Sequence, residues 1–453
     1  MSDTTTCPPP VLAARIGIDW GDKKHAWALQ PAGSQKIERG EMDHTPEAIQ
    51  EWAVALRQRF PEGCLAVALE SSRGPLVFAL SKYEHLVLYP VHPNSAAEYR
   101  KVFRPSGAKS DAPDAALLLD LLSRHGDKLR PLNPDTPQTR ALQLLTEHRR
   151  RLVNERTRFT NRLGADLKSY YPQLLEWFED PYAPVALDFL KQWPTVEELQ
   201  KASRATLRKF FKQHQCRNEA KNEQRIEAMS KAVAATTDFA VITAGQLATQ
   251  SAVGILRELG HAIQEYDQQI EKLAQAHPDF AIFDSFPGAG AALVPRLIAA
   301  FGTQRERYQT ATDMQQYSGI APVTEASGNH HWVHWRWSCP KFLRQTFHEW
   351  AGQSIQRCDW AAAYYQAQRE DKNQSHNSAI RALAYKWIRI AFRCWQDRKP
   401  YDDSHYEAIL RQRAAQVKKP IQPPPFELPL QWISCGSFQK IAFKQPQEIH
   451  KTS

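Results

Sequence analysis

Cysteine is scarce in this chain: the 453 residues include seven cysteines, and none of them form a CxxC pair. This excludes a disulfide scaffold and a four-cysteine zinc site, and it suits a reducing compartment. No run of about 18 apolar residues occurs, so no transmembrane helix is predicted. The first residues lack a basic stretch followed by an apolar one, so no secretory signal peptide is predicted. We expect a cytoplasmic protein with no membrane partner.

Acidic residues are outnumbered by basic ones, with 49 Asp and Glu against 58 Lys and Arg and a net charge of +9. This excess favours an anionic partner such as nucleic acid, although a solvated basic surface is the alternative. Hydrophobic residues make up 42% and charged residues 24%, which is typical of a globular protein. At roughly 150 residues per domain, the length predicts two or three domains.

The N-terminal region alternates predicted strands and helices. Short runs beginning at Ala14, His25 and Lys36 predict three strands, and the spacing over 46–60 predicts a helix. The next elements are predicted as strand 65–71, helix 75–84, strand 85–91 and a helix starting near Ser110. This order is that of an α/β ribonuclease H-like domain over residues 14–128.

A mainly helical chain is predicted downstream. A basic helix over 136–168 is followed by a mixed segment to about residue 245. Apolar residues then recur at spacings of four and three, which indicates coiled-coil heptads, with a helix packed on its own chain as the alternative. These residues are Ala252, Leu256, Leu259, Ile263, Tyr266, Ile270 and Leu273. The arginines of the basic helix that suit contact with a nucleic-acid backbone are Arg149, Arg150, Arg151, Arg156 and Arg158.

Four carboxylates occupy the ends of predicted elements in the N-terminal domain. Asp19 ends the first strand and Glu70 ends the fourth. Asp111 and Asp114 begin the following helix three residues apart, on one face. Singly, such residues are ordinary helix caps and surface acids. Together they would repel one another unless a dication neutralised them, which predicts an Mg²⁺ or Mn²⁺ site suited to phosphoryl transfer.

Residues 287–290, PGAG, join two apolar helical stretches. This pattern indicates a helix-hairpin-helix that holds a phosphate at a helix N-terminus, or an ordinary interhelical turn. Ser327 follows in a polar loop predicted between helical segments. No base adjoins Ser327 in the sequence, so local sequence alone indicates a turn residue.

An aromatic and histidine-rich segment follows the serine. Trp332, Trp335 and Trp337 alternate with His334 and Arg336. This alternation suits a strip that stacks on bases and contacts phosphates, and it equally suits a buried aromatic cluster. The residues His330, His331, His334 and Cys339 are potential zinc ligands. Their spacing fits no standard zinc site, so zinc is disfavoured.

In this order, the motifs resemble those of the DEDD transposases of insertion sequences, the bridge-RNA-guided recombinases of the IS-one-ten and IS-eleven-eleven type. The motifs that carry the resemblance are IGID (16–19), VALES (67–71), KSDAPDA (109–115), FPGAG (286–290), YSGIAPVTEASG (317–328), KFLRQTFHEWA (341–351) and IRALAYKWIRIAFRCW (380–395). The Trp/His-rich segment 329–340 departs from the family, which has a glycine-containing stretch there.

The resemblance implies a RuvC-like domain with a metal-binding tetrad, matched by Asp19, Glu70, Asp111 and Asp114. It also implies a catalytic serine, matched by Ser327, that attacks a DNA phosphate and forms a covalent protein–DNA intermediate. The acids of one protomer would meet the serine of another in a tetramer assembled from homodimers. A structured noncoding bridge RNA would select both the target and the donor double-stranded DNA at the nucleoid. The predicted contacts to the backbone of this RNA are Arg149, Arg150, Arg151, Arg156 and Arg158.

The implied architecture is a RuvC-like domain at 14–128, a helical coiled-coil connector at 129–278 and a mainly α-helical C-terminal transposase domain at 279–402. Residues 1–13 and 403–453 are expected to form a disordered leader and a Pro-rich tail. The sequence has no Walker A motif, which agrees with ATP-independent rejoining through a phosphoserine ester. The alternative function is a metal-dependent DNA nuclease or Holliday-junction resolvase that uses water as the nucleophile.

Overall fold

The computed structural model describes residues 12–103, 111–328 and 330–404. The chain divides into two compact units. The first comprises the residues up to Leu145 together with Gly302–Gln304, and the second comprises Thr146–Phe301 together with the residues from Arg305 onward. The greater part of the predicted leader, and the predicted tail beyond residue 404, lie outside the described residues.

A five-stranded mixed sheet forms the centre of the first unit. Its strands are β1 (Leu12–Asp19), β2 (Lys24–Pro31), β3 (Glu38–Asp43), β4 (Cys64–Leu69) and β5 (Leu86–Pro90). They lie in the order β3-β2-β1-β4-β5. Strands β1, β4 and β5 are parallel, and β2 and β3 add antiparallel pairs. The mixed α/β domain expected from the order of elements is confirmed.

Four helices of the first unit contribute to the packing around the sheet. They are α1 (Pro46–Arg59), α2 (Pro75–Leu80), α3 (Pro93–Phe103) and α4 (Asp111–His125). In β4, Leu65 and Val67 pack in a core with residues of α1 and α2. The alternate residue Ala66 packs in a second core with Leu118 and Leu122 of α4. The strand is therefore buried on both faces, which explains its continuous apolar sequence.

Helices dominate the second unit. Helix α5 (Pro137–Tyr170) belongs to this unit from Thr146 onward. The other helices are α6 (Leu174–Trp177), α7 (Pro184–Gln192), α8 (Val196–Gln200), α9 (Arg204–Gln213), α10 (Glu219–Ser230), α11 (Phe239–Gln275), α12 (Phe280–Asp284), α13 (Gly290–Phe301), α14 (Ala311–Tyr317), α15 (Lys341–Ser354), α16 (Asp359–Glu370) and α17 (His376–Asp397). The short helices α6–α10 share one aromatic core with α5 and α11, which includes Phe189, Phe210 and Phe211. The mixed segment 170–245 therefore consists largely of helices packed around one core.

The predicted heptad residues lie on α11, which is 37 residues long. Ala252, Leu256, Ile263 and Ile270 are buried within the single chain. Packing on the chain's own core thus accounts for part of the pattern, and pairing between copies remains a prediction. Among the described residues, α11 is also the one helix long and apolar enough to cross a membrane, a test that core helices of soluble proteins also pass.

The segment around Ser327 folds as a β-hairpin, and the prediction of a polar loop there was wrong. Strand β6 (Val323–Ser327) pairs antiparallel with β7 (His330–His334). Strand β6 carries the β-branched Val323 and Thr324, and β7 carries Trp332 and Val333, which are residue types that favour extended backbone. Gly328 has a φ of 56°, a left-handed conformation that glycine adopts without steric cost and that lets the chain reverse at the hairpin tip. The C-terminal region is otherwise mainly helical, as expected.

Candidate active site

The first two acids lie side by side at one edge of the sheet. Ile18 of β1 pairs with Leu69 of β4 in parallel register. Asp19 and Glu70, the residues that follow, therefore both lie at the carboxyl ends of neighbouring strands. Ligand sites of parallel sheets form at this edge, beyond the ends of the strands. Asp19 is 5% exposed, so its carboxylate lies in a largely enclosed environment.

Helix α4 brings the third acid to the same sheet. A Cβ atom on Gly17 of β1 would lie 2.1 Å from the Ala115 carbonyl oxygen of α4, so only glycine permits this approach. The approach places α4 across the centre of the sheet, and Asp114, one residue before Ala115, is 1% exposed. Asp111 is the first residue of α4, and its side chain lies outside the described structure.

A largely buried arginine that the sequence analysis missed lies among these acids. The Arg100 Nε atom of α3 donates to Asp114 Oδ1 over 2.8 Å, and its Nη2 atom donates to Glu70 Oε1 over 3.3 Å. The Arg100 side chain is 13% exposed. Two carboxylates beside each other in a largely enclosed site need a cation, and here Arg100 supplies it. These contacts show directly that Glu70 and Asp114 converge.

The chemistry of the acids fits a divalent cation. Carboxylate oxygens are hard ligands, and the buried Asp114 Oδ2 atom has no hydrogen-bond partner among the described residues. Asp19 and Glu70 line a cavity of about 390 Å³. Among the side chains that the structure describes, no three from Asp, Glu, His or Cys lie close enough together to hold a metal ion. The side chain of Asp111 is not among those described.

Ser327 lies in the second unit at the tip of the β6–β7 hairpin. Its side chain is exposed, and its backbone is in register with His330 on the opposite strand. An exposed hydroxyl at a hairpin tip is sterically accessible to a large substrate such as DNA. On the same hairpin, the Glu325 carboxylate hydrogen-bonds His334 Nε2 over 2.7 Å and raises the pKa of that imidazole. His334 Nδ1 lies 2.7 Å from the Trp335 carbonyl oxygen, so both of its ring nitrogens have hydrogen-bond partners.

The PGAG segment forms the turn between α12 and α13. Gly288 has a φ of 76°, and a Cβ atom there would lie 2.7 Å from the Gln353 carbonyl carbon and the Ser354 amide nitrogen. Leu293 is the first residue of α13 whose amide donates a helical hydrogen bond, and its acceptor is the Ala289 carbonyl oxygen at 3.1 Å. The amides of the preceding helical residues are left to point out of the helix N-terminus.

A cavity of about 780 Å³ opens at this turn and carries excess positive charge. Its charged lining residues are Arg149, Arg150, Arg296, Arg357 and Glu349, which give four positive charges against one negative. Arg296 is 8% exposed and its Nη2 atom has no hydrogen-bond partner among the described residues. Arg150 and Arg296 each form an ion pair with Glu349. Arg296 and Glu349 could not be predicted from the sequence, because no local motif marks them.

The predicted RNA contacts on α5 fall into two groups. Arg149 pairs with Asp267 of α11 and Arg150 pairs with Glu349 of α15, so both cations are engaged within the unit. Arg151, Arg156 and Arg158 are exposed, and Arg158 forms an exposed pair with Glu155. The exposed group presents its charge to solvent.

Two transposase family models match this chain. A DEDD transposase model matches residues 16–172, and a model described as "Transposase IS116/IS110/IS902 family" matches residues 281–366. The chain is a transposase of the IS110/IS116 family. The resemblance noted from the motifs is confirmed at this level. The transposase is thus an enzyme of the class that cleaves and rejoins DNA. Asp19, Glu70, Asp111 and Asp114 lie within the first matched range, and Ser327 lies within the second.

Two curated relatives match the transposase over most of its length, and a third matches less than half of it. A "mini-circle putative transposase for IS117" from Streptomyces coelicolor is 28% identical over 89% of this chain and 99% of its own length. The "insertion element IS110 uncharacterized 43.6 kDa protein" from the same species is 24% identical over 85% of this chain and 95% of its own length. A "putative transposase y4uE" from Sinorhizobium fredii is 29% identical over 44% of this chain and 56% of its own length.

Proposed function

We propose that this transposase is an RNA-guided DNA recombinase of an insertion sequence. In this proposal, Asp19, Glu70, Asp111 and Asp114 hold Mg²⁺ or Mn²⁺, and Ser327 is the nucleophile that forms a covalent bond to a DNA phosphate. A bridge RNA chooses target and donor DNA, and homodimers assemble to a tetramer in the cytoplasm, at the nucleoid. The observation that carries the proposal is the convergence of acids at the carboxyl edge of a transposase-type sheet.

The four acids supply the negative charge that binds a divalent metal ion for phosphoryl transfer. A divalent ion bound by them supplies a Lewis acid for the scissile phosphate and its leaving oxygen. Arg100 balances Glu70 and Asp114 in the present arrangement, so a bound cation would replace or complement its charge. Glu70 follows a buried strand and Asp114 lies on a helix packed against the sheet, which suits a site that must orient a phosphate.

The serine step conserves the energy of the phosphodiester bond. The Ser327 hydroxyl oxygen attacks phosphorus, its proton is lost, and the bond from phosphorus to the deoxyribose leaving oxygen breaks. The leaving oxygen becomes a hydroxyl, which can later attack the phosphoserine ester and release Ser327. A serine hydroxyl needs activation to act at neutral pH. Ser327 belongs to the second unit and the acids to the first, and we propose that the working site combines them from different protomers.

Several features support nucleic acid as the partner. The chain has a net charge of +9, and the cavity beside the PGAG turn combines excess arginine with a helix N-terminus. Such an arrangement suits a phosphate of the DNA backbone. The exposed Arg151 and Arg156 on α5 suit a second phosphate backbone, which we assign to the bridge RNA. The heptad residues Leu259, Tyr266 and Leu273 of α11 are only partly buried within the single chain, and we assign them to pairing between copies.

A cleavage assay tests the catalytic part of the proposal. The substrate is labelled DNA carrying the element's own ends, incubated with protein co-expressed with its flanking DNA. Asp114→Asn and Ser327→Ala are each expected to abolish cleavage, and Ser251→Ala is the matched control. Ser251 is an exposed serine on α11 whose hydroxyl donates to the Leu247 carbonyl oxygen. A fully active Ser327→Ala protein would instead support the water-dependent nuclease or junction resolvase.

Sequencing of co-purifying nucleic acid tests the guide. We expect one dominant structured RNA from the flanking DNA, with loops complementary to the element's ends and to its target. Heterogeneous fragments, recovered although the flanking DNA is well transcribed, would contradict RNA guidance.

A further inference from the structure

A second cavity lies beside the hairpin that carries Ser327, and the proposed catalytic steps do not use it. Its volume is about 460 Å³. Its walls come from the residues just after β7 and from α15 and the start of α17, and they include Trp335, Trp337, Lys341 and His348. The sequence of this segment is the part of the C-terminal domain that departs from the family's pattern.

The two tryptophans of this cavity are held very differently. Trp335 is half-buried, with the Arg381 guanidinium 4.0 Å and the Arg344 guanidinium 5.5 Å from its ring centroid. The His348 ring stacks on it with an interplanar angle of 21°. Trp337 is 77% exposed, an unusual state for so large an apolar ring. The cavity thus has one fixed aromatic wall and one free aromatic face, so the alternative of a buried aromatic cluster fails for Trp337.

The charge of the cavity has one sign. Lys341 and Arg344 line it, and no acidic residue is among its described lining residues. Lys341 is the first residue of α15, so the positive end of that helix adds to the field. The His348 Nε2 atom is buried and has no hydrogen-bond partner within the described part of the chain. Among the residues that the structure describes, the cavity therefore offers an aromatic face, a polar nitrogen without a partner and cations without a counter-ion.

We propose that this cavity binds an unpaired nucleotide of the nucleic-acid substrate. The base stacks on Trp337, and the phosphate is held by Lys341 and Arg344. Stacking on an exposed tryptophan requires a free base face, which a base inside a duplex does not present. The site would hold one displaced base next to the hairpin that carries Ser327. The inference rests on nucleic acid being the substrate, and it does not depend on Ser327 being a nucleophile.

Binding of labelled oligonucleotides tests the proposal by fluorescence anisotropy. The probes are a short oligothymidylate, the matching oligouridylate and a duplex of the same length. Trp337→Ala is expected to weaken binding of a single strand about tenfold, while Trp337→Phe retains most of the affinity because it keeps an aromatic face. Duplex affinity should change less than twofold. Loss with only one single strand identifies DNA or RNA as the source of the base, and loss with both means that the cavity accepts either.

Two matched controls separate stacking from nonspecific effects. Phe239→Ala removes another exposed aromatic ring, 80% exposed on α11, and Lys209→Ala removes an exposed lysine on α9. Both variants should bind all probes like the wild type. Lys341→Ala should lower the affinity for single strands and make that affinity less dependent on salt concentration. The measurement reads binding and not cleavage, so failure of the serine mechanism would leave this result unaffected. Unchanged affinity of Trp337→Ala, or an equal loss with duplex, would overturn the proposal.

Discussion

Arg100 and Asp114 form a buried ion pair at the carboxyl edge of the sheet, with 2.8 Å between the Arg100 Nε atom and the Asp114 Oδ1 atom. The same guanidinium reaches Glu70, so one arginine neutralises two members of the acidic cluster. A metal ion at this cluster would compete with Arg100 for the same oxygens.

Removal of Arg100 should therefore increase the response of the protein to divalent ions. Arg100→Ala leaves Glu70 and Asp114 without their cation, which should lower Tm in the presence of a chelator. Added Mg²⁺ should then raise Tm by more than it does in the wild type, because the competitor is absent. Arg124→Ala, which breaks an exposed pair with Asp120, is the control. A smaller Mg²⁺-induced rise in Arg100→Ala would show that Arg100 assists the ion.

Gly17→Ala should destabilise the first unit. The added methyl group would meet the backbone of α4 at Ala115 and Leu119, and backbone atoms cannot turn aside as a flexible side chain can. Overpacking of this kind costs about 1–3 kcal/mol. Urea unfolding would measure the loss, and the Mg²⁺-induced rise in Tm should shrink because Asp114 moves with α4.

Gly254→Ala is the matched control for this substitution. Gly254 lies within α11, and a Cβ atom there meets nothing within 4 Å. Alanine in a helix is favoured over glycine by about 1 kcal/mol, so this variant should be neutral or more stable. If Gly17→Ala and Gly254→Ala changed the free energy of unfolding equally, the close approach of β1 and α4 would be contradicted.

Much of the first unit could be predicted from the sequence, because alternating apolar runs and short turns specify strands and helices locally. The positions of Asp19, Glu70 and Asp114 followed from that order of elements. Arg100 could not be predicted because it lies on α3, a helix that the apolar pattern did not indicate, 30 residues from Glu70 along the chain. The hairpin at Ser327 was also missed, since its two strands are short and largely exposed, and no apolar alternation marks them.

His348 should make the protein less stable in acid. Burial, together with Arg381 and Arg344, lowers the pKa of His348 to about 4, from an ordinary value near 6.5. Between these pH values the unfolded chain binds a proton that the folded chain does not. Stability is therefore fully present above about pH 6.5 and falls as the pH decreases towards 4. His348→Gln should flatten the dependence of Tm on pH in that window.

His334→Gln should show the opposite dependence. The hydrogen bond that the His334 ring donates to the Glu325 carboxylate raises the pKa of His334. The stabilising contribution of His334 is therefore present below the unfolded pKa and is lost as the pH rises through the folded pKa. This variant should lose stability in acid and little above neutral pH. If the dependence of Tm on pH changed in the same way in His348→Gln and His334→Gln, the lowered pKa of His348 and the raised pKa of His334 would be contradicted.

Arg357 should contribute to duplex DNA binding at the PGAG turn. It is exposed and lines the cavity that also contains Arg296. Arg357→Ala should weaken binding to all DNA sequences. It should also reduce the slope of log affinity against log salt by about 1, the value for one phosphate contact. Arg393→Ala, which removes an exposed arginine paired with Asp397, should leave the slope unchanged. Equal slopes in all three proteins would contradict a phosphate contact at Arg357.

The most direct test of the proposed mechanism is to identify the amino acid that becomes attached to DNA. Protein incubated with DNA carrying the element's ends is digested with nuclease and protease, and the peptides are sequenced by mass spectrometry. We expect a nucleotide joined through a phosphoester to Ser327, and we expect this adduct to be absent from Ser327→Ala and present in Ser251→Ala. Efficient cleavage without any adduct, or an adduct at another residue, would contradict it.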